Sequence, residues 1–285
     1  MSEQSPTNNA ARRAIDFGRV RAVLFDMDGV LYRGMEALPG VNEMLAFLTE
    51  QQVSYACITN NASRTREQVS TGLRQMGIAV PAERIITSAT ATSIWLRART
   101  PRGTTVFAIG MDGLRNVLFA DGYFVEQAQE PQYVVVGADF EITYAKLKTA
   151  CLAIRAGATF IGTNPDTTFP SEEGIIPGVG AFILALEAAA GKKAQIIGKP
   201  ERALFDAALQ MLGVPAEQTL VVGDRLDTDI LGANRAGIPA AMVLTGVSTR
   251  AELDESAMRG GPQPSAVFQD LPDLLRTWRG HGDAT

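Results

Sequence analysis

Short runs of apolar, strand-forming residues recur along this chain, and each gives way to a stretch whose apolar positions have helical spacing. Residues 20–26 read as a buried strand, and 40–51 as a helix presenting Val41, Met44, Leu45 and Leu48 on one face. A second strand follows at 53–59 and a second helix at 65–76, closed by Gly77. The middle of the chain has the same rhythm: strands at 104–109 and 133–137, helices at 113–120, 144–156 and 179–190. So does the last part, with strands at 195–197, 219–222 and 240–244 separated by helices at 201–211 and 228–236. Alternation of this kind builds parallel sheets covered by helices on both faces, with ligand sites at the carboxyl ends of the strands. The expected class is therefore α/β, with a Rossmann-like, doubly wound parallel sheet. With 285 residues, 46% of them hydrophobic, the chain is long enough for two domains or one large one. "TPRG" at 100–103 reads as a linker.

Several function classes drop out on composition. A net charge of −5 argues against a general nucleic-acid surface, though not against a local anion pocket. Cys57 and Cys151, with no CxxC, are too few for a disulfide framework and read as buried free thiols in a reducing, cytoplasmic compartment. The longest apolar run, 181–190, is broken by Glu187, so no membrane span is expected. The polar start, "MSEQSPTNNAARRAIDFG", lacks the apolar centre of a secretory signal and reads as a flexible leader; the ending "RGHGDAT" reads as frayed. That ending holds His281, the single histidine, which excludes a histidine-based triad or a multi-histidine metal site.

The stretch "VLFDMDGVLY" places Asp26 and Asp28 two positions apart at the end of an apolar strand. Taken alone, it is an ordinary Asp-Gly turn. If both carboxylates shared a face about 4 Å apart, they would repel by roughly 4 kcal/mol at an effective dielectric of about 20. Three other segments have the same grammar, a strand ending in polar residues: "ACITNN", "AQIIGKP" and "LVVGDRLDTDI". Each has a plain reading of its own: Thr59–Asn60–Asn61 as a capping loop, Lys199 as a solvated lysine, Asp224, Asp227 and Asp229 as acids at a helix start. In a doubly wound sheet these strand ends can converge on one crevice. There the carboxylates would hold a hard cation, magnesium being the natural one, while a lysine and a hydroxyl neutralise an anion.

In that order, "DMDGVLYRG", "ITNNAS", "IIGKP" and "VVGDRLDTDI" resemble the four motifs of haloacid dehalogenase (HAD) superfamily phosphatases, over about 21–275. The resemblance implies a magnesium-dependent hydrolase of small phosphate monoesters working through an aspartyl phosphate. Asp26 would be the nucleophile and Asp28 the general acid and base. Thr59, Asn60 (through its backbone N–H) and Lys199 would hold the phosphate. Asp26, the carbonyl of Asp28, and Asp224 would ligate the metal, with Asp229 orienting a metal water or Lys199 from behind. Asp227 has no clear counterpart and is expected at the surface. The acid at Asp28 favours phosphoryl transfer over dehalogenation, which needs no proton donor for halide.

Only 31 positions separate Asp28 from Thr59, against 140 from Thr59 to Lys199, so the insertion falls between the second and third motifs. This resembles the α/β C2-type cap of type IIA, NagD-like members such as 4-nitrophenyl and phosphoglycolate phosphatases. The implied organisation is a leader at 1–19, a core at 20–100 and 191–278, and a cap at 101–190. In the cap, "GTNPDTTFPSEEGIIPGVGAF" resembles the substrate-facing region; Asn164 and Asp166 would shape its loop, and Thr168 and Phe169 approach a leaving group. "GVGAF" lacks the third glycine of a dinucleotide fingerprint, Ile183 standing there, so no nicotinamide site is expected. The implied partners are a small phosphorylated metabolite and a second copy through the cap, with no nucleic acid or membrane. Two alternatives stay open: a phosphotransferase or mutase, and a phosphometabolite-binding protein without turnover. The substrate itself is left open among sugar phosphates, nucleotides, phosphoglycolate, glycerol phosphate and pyridoxal phosphate.

Overall fold

The computed structural model describes residues 15–171 and 173–282. Two parallel sheets organise it. The first has six strands in the order Ala266–Phe268, Ala240–Val243, Thr219–Gly223, Ala22–Phe25, Ser54–Thr59, Ile85–Thr87. Every neighbouring pair in it is parallel. The chain winds outward from Ala22–Phe25 in one direction, returns, and winds outward in the other, so the strand order reverses between Ala22–Phe25 and Thr219–Gly223. A crevice opens at the carboxyl ends of strands flanking such a reversal, because the two connections leave toward opposite faces.

Alternation along the strands divides the interior into two cores. Val23, Phe25, Tyr55 and Cys57 point to one face, where Met44, Leu48, Leu274 and Trp278 cover them. Leu24, Ala56 and Ile58 point to the other, against Leu96, Leu204, Phe205 and Ala233. Being buried on both faces, these strands read as continuous apolar runs.

The cap is built on a five-stranded parallel sheet in the order Gln195–Ile196, Thr159–Gly162, Tyr133–Val136, Thr105–Ile109, Val125–Glu126. Val134, Val136 and Phe160 pack under the helices Tyr144–Ala156 and Val179–Ala190. Val106, Ala108, Val135 and Ile161 face the other way and join the cluster that contains Leu24 and Phe205. Cap and core thus share apolar packing instead of meeting through a bare linker. An antiparallel hairpin, Thr168–Ser171 with Gly174–Pro177, projects from the cap.

Five expectations need correction. Gln195–Ile196, assigned to the core by a boundary at 191, pairs with Thr159–Gly162, because its backbone completes the edge of the cap sheet before the chain crosses back. The leader was drawn to residue 19, yet Ile15 and Phe17 are buried, and Phe17 meets Trp278 with ring centroids 4.9 Å apart; residues 1–14 lie outside the described residues. The ending is helical through Leu271–Gly282, with His281 against Phe17 at 5.2 Å; residues 283–285 lie outside the described residues. The helix expected over 228–236 begins earlier as a π-helical turn, Leu226–Ile230, before the α-helix Leu231–Ala236. There the Arg225 carbonyl accepts from both Asp229 and Ile230 N–H groups at 3.1 Å, which widens the turn. Finally, Cys57 is buried but Cys151 is only partly so.

Trp278 bridges the C-terminal helix to Phe17 and Phe47. Trp278→Ala is expected to lower the unfolding free energy by about 3–5 kcal/mol in urea denaturation, the range for emptying a buried aromatic site. A loss under about 1 kcal/mol would mean that the terminal helix and residues 15–19 do not close this core.

Candidate active site

Four strand ends and one cap loop meet at the reversal point. The backbone ladder carries Asp26 one residue past its strand, its N–H donating to Val222 carbonyl at 2.8 Å. The chain then turns sharply. Met27 carbonyl accepts from Leu31 N–H at 2.8 Å, and Gly29 takes φ of +84°. A side chain at Gly29 would be strained by that φ and would also meet the Asp224 carboxylate at 2.6 Å. The turn sets the two acids in different surroundings: Asp26 is buried, whereas Asp28 is exposed. Surrounding protein raises the Asp28 pKa above the ordinary carboxylate value, against the opposing pull of the Gly29 N–H and the Arg33 charge.

Lys199 is buried at the centre. Its Nζ donates to Asp26 Oδ1 at 2.5 Å and to Asp229 Oδ1 at 2.6 Å. Burial alone would depress its pKa; the charges of Asp229 and Asp26 outweigh that and hold it above the usual lysine value. Asp229 is also fully enclosed, and its Oδ2 accepts from the N–H groups of Asp224 and Arg225 at 3.3 and 3.1 Å. Both of its oxygens are therefore engaged by the protein.

Asp224 is the opposite case. Val247 N–H donates to its Oδ2 at 2.6 Å, while Oδ1 is buried without a hydrogen-bond partner. Burial, then the charges of Asp26 and Asp229, push its pKa far above the carboxylate range. One oxygen each from Asp26, Asp224 and Asp229 lies within 4.8 Å of the others. With all three ionised, the carboxylates would exceed the one ammonium by two negative charges, and the donor set is all oxygen. A hard divalent cation fits that set and would partner the orphaned Asp224 oxygen. The Asp28 carboxylate is not part of this cluster.

Thr59 ends its strand with Oγ1 accepting from Asn61 N–H at 3.1 Å. From the cap, Asn164 is buried and Asp166 half-buried, and both reach Asn60 across the interface. Thr168 is exposed on the hairpin; Phe169 is half-buried with its ring 5.9 Å from that of Phe140. Neither phenylalanine belongs to an apolar core cluster. Asp227 is exposed and gripped by Arg225, with Nη2 to Oδ2 at 2.7 Å, a surface pair outside the carboxylate cluster.

Sequence reasoning missed the loop after Ala240–Val243. Thr245 Oγ1 donates to Gly29 carbonyl at 2.6 Å, and Val247 supplies the N–H that holds Asp224. The signal was present, since "AAMVLTGVST" is another apolar strand ending in small polar residues.

Comparison with known proteins gives the family. A haloacid dehalogenase-like hydrolase family model matches residues 23–124, and a second, HAD-hydrolase-like model matches 196–274. The acid sugar phosphatase of Staphylococcus saprophyticus is 36% identical over 256 residues, covering 90% of this chain and 97% of that protein. The 4-nitrophenylphosphatase of Thermotoga maritima superposes with a TM-score of 0.84 at 35% identity, over 91% of this chain and 98% of that one. Glycerol phosphate phosphatase from Mycobacterium tuberculosis, solved in complex with magnesium, superposes at 0.83 with 33% identity, over 92% and 78%. The chain belongs to the haloacid dehalogenase-like hydrolases, as a phosphatase of their type IIA branch.

Lys199→Met would strand two carboxylates in the interior. The expected cost is about 3–5 kcal/mol of unfolding free energy near pH 8, measured in urea. Stranded carboxyls have a folded-state pKa above the unfolded value, so their protonated form favours folding and the penalty shrinks as pH falls toward about 5. A penalty independent of pH would contradict the role of Lys199 as their counter-charge.

Proposed function

We propose that this enzyme hydrolyses small phosphate monoesters with magnesium, through a phosphoryl group carried transiently on Asp26. The observation that carries the proposal is the pairing of Asp26 with buried Lys199 beside the unpartnered Asp224 oxygen. Among the described residues no helix is long and apolar enough to cross a membrane.

In this reading a carboxylate oxygen of Asp26 forms a bond to phosphorus while the bond to the ester oxygen breaks. Asp28, raised in pKa and exposed to the cleft, gives its proton to the departing oxygen. Deprotonated Asp28 then takes a proton from water, whose oxygen attacks phosphorus and releases the Asp26 carboxylate with inorganic phosphate. Lys199 and Thr59 hold the phosphoryl oxygens, and Lys199 also holds the Asp26 carboxylate in place. A bound magnesium ion, held by Asp26, Asp224 and the Asp28 carbonyl, would neutralise the charge that builds on the phosphoryl oxygens. Asp229 holds Lys199 in place and organises the Asp224–Arg225 backbone.

The cap bears on substrate size. Phe140 and Phe169 pair at one side of it, and the relatives are an acid sugar phosphatase, a 4-nitrophenylphosphatase and a glycerol phosphate phosphatase. Sugar and polyol phosphates are accordingly the first class to assay.

Purified protein is expected to release phosphate from 4-nitrophenyl phosphate with magnesium, to lose that activity in EDTA, and to lose at least about a thousandfold in kcat as Asp26→Asn. Retained turnover in Asp26→Asn would remove Asp26 as nucleophile. Independently of turnover, magnesium is expected to raise the thermal midpoint of the wild type and not that of Asp224→Asn. Equal shifts in both would place the ion elsewhere.

A further inference from the structure

Asn60 follows Thr59, and its sequence position offered only a backbone N–H to phosphate. In the structure its side chain has every polar atom engaged. Oδ1 accepts from the Lys199 N–H at 2.8 Å. Nδ2 donates to the Lys199 carbonyl at 3.0 Å and to Asp166 Oδ2, from the cap, at 3.0 Å. A primary amide has two N–H donors, so both are used. The Asn60 carbonyl in turn accepts from Ser88 Oγ in the core and Asn164 Nδ2 in the cap, both at 2.7 Å. The cap loop is braced internally as well, with Asp166 N–H donating to Asn164 Oδ1 at 3.1 Å. Residue 198 has to be glycine for this approach, since a Cβ there would lie 2.5 Å from Asn60 Oδ1.

The consequence lies at the other end of Lys199. Asn60 grips the Lys199 main chain through its N–H and its carbonyl, and the Nζ of that same residue lies between Asp26 and Asp229. One residue therefore connects the cap loop to the main chain from which the buried ammonium projects. We propose that Asn60 is a positioning residue, whose side chain fixes Lys199 and the Asn164–Asp166 loop of the cap as one unit around the reacting group. Its effect on turnover rests on the phosphatase reading above; the joint itself does not.

Reversal of hydrogen-bond polarity tests it. Asn60→Asp keeps the acceptor for Lys199 N–H but loses both donors and sets a carboxylate against Asp166. In Asn60→Asp/Asp166→Asn the amide at 166 can donate to the carboxylate at 60, which restores the core–cap bond in the reverse sense. With 4-nitrophenyl phosphate, Asn60→Asp is expected to lower kcat about tenfold or more in otherwise wild-type protein, and less than about threefold when introduced into Asp166→Asn. A loss of fold alone would lower the thermal midpoint and the active fraction without such rescue. Equal losses in the two backgrounds would overturn the proposal.

A further comparison holds if Asn60→Asp does not fold or if the wild type does not turn over this ester. Asp166→Ala, which leaves Asn60 no acceptor in the cap, is expected to show faster amide hydrogen exchange over 195–199 and 163–167 than Asp166→Asn, which keeps one there. Indistinguishable exchange in the two variants would overturn the joint. Absence of wild-type turnover with that exchange difference intact would instead count against the phosphatase reading.

Discussion

A single buried ammonium sets the terms for the rest of this site. Lys199 is the counter-charge for Asp26 and Asp229, and without it three carboxylates would meet at one sheet end with no cation from the protein. Ion pairs removed from water stand only when their geometry is good and the remaining polar atoms are satisfied. Asp229 meets that condition through two backbone N–H groups, and the Lys199 backbone meets it through Asn60. Asp224 does not, and its free oxygen is where the arrangement calls for a further cation.

The fold explains why these groups come together. A sheet that winds in both directions from Ala22–Phe25 leaves its crevice between that strand and Thr219–Gly223, the two strands that end in Asp26 and Asp224. Ser54–Thr59 adds the hydroxyl, and the chain returning from the cap sheet adds Lys199. Because the inner face of the cap packs into the same apolar cluster as Leu24 and Phe205, the loop holding Asn164 and Asp166 is carried close to that crevice. Rigid strand ends and a packed cap are what allow hydrogen bonds at this precision to persist.

Much of this was legible in the chain because the informative signals are local. An apolar run followed by polar residues marks a strand end, and that grammar located Asp26, Thr59, Lys199 and Asp224. What escaped was set by contacts between distant positions. Nothing near Asn60 announces that its side chain will hold a main chain 139 positions away. Likewise, Gln195–Ile196 looks like any short strand until its partner Thr159–Gly162 is known. His281 and Phe17 each lie in polar sequence that reads as loose, and they are ordered by each other and by Trp278. The two acids of the first motif show the limit of pattern reading most directly. Their spacing allows either a shared face in an extended chain or an Asp-Gly turn, and the turn at Gly29 decides it, leaving Asp26 buried and Asp28 exposed.

Asp26 buried and held by Lys199, with Asp28 exposed, is the geometry on which the proposed roles of nucleophile and acid rest. The most direct test of those roles is rapid acid quench of the enzyme during turnover of a phosphate ester labelled on phosphorus, with the labelled peptide then located by mass spectrometry. The account predicts a phosphoryl group on the peptide containing Asp26, labile to hydroxylamine and formed before the first product phosphate. Turnover with no protein-bound phosphoryl group in the pre-steady state, or with the group on another residue, would contradict it.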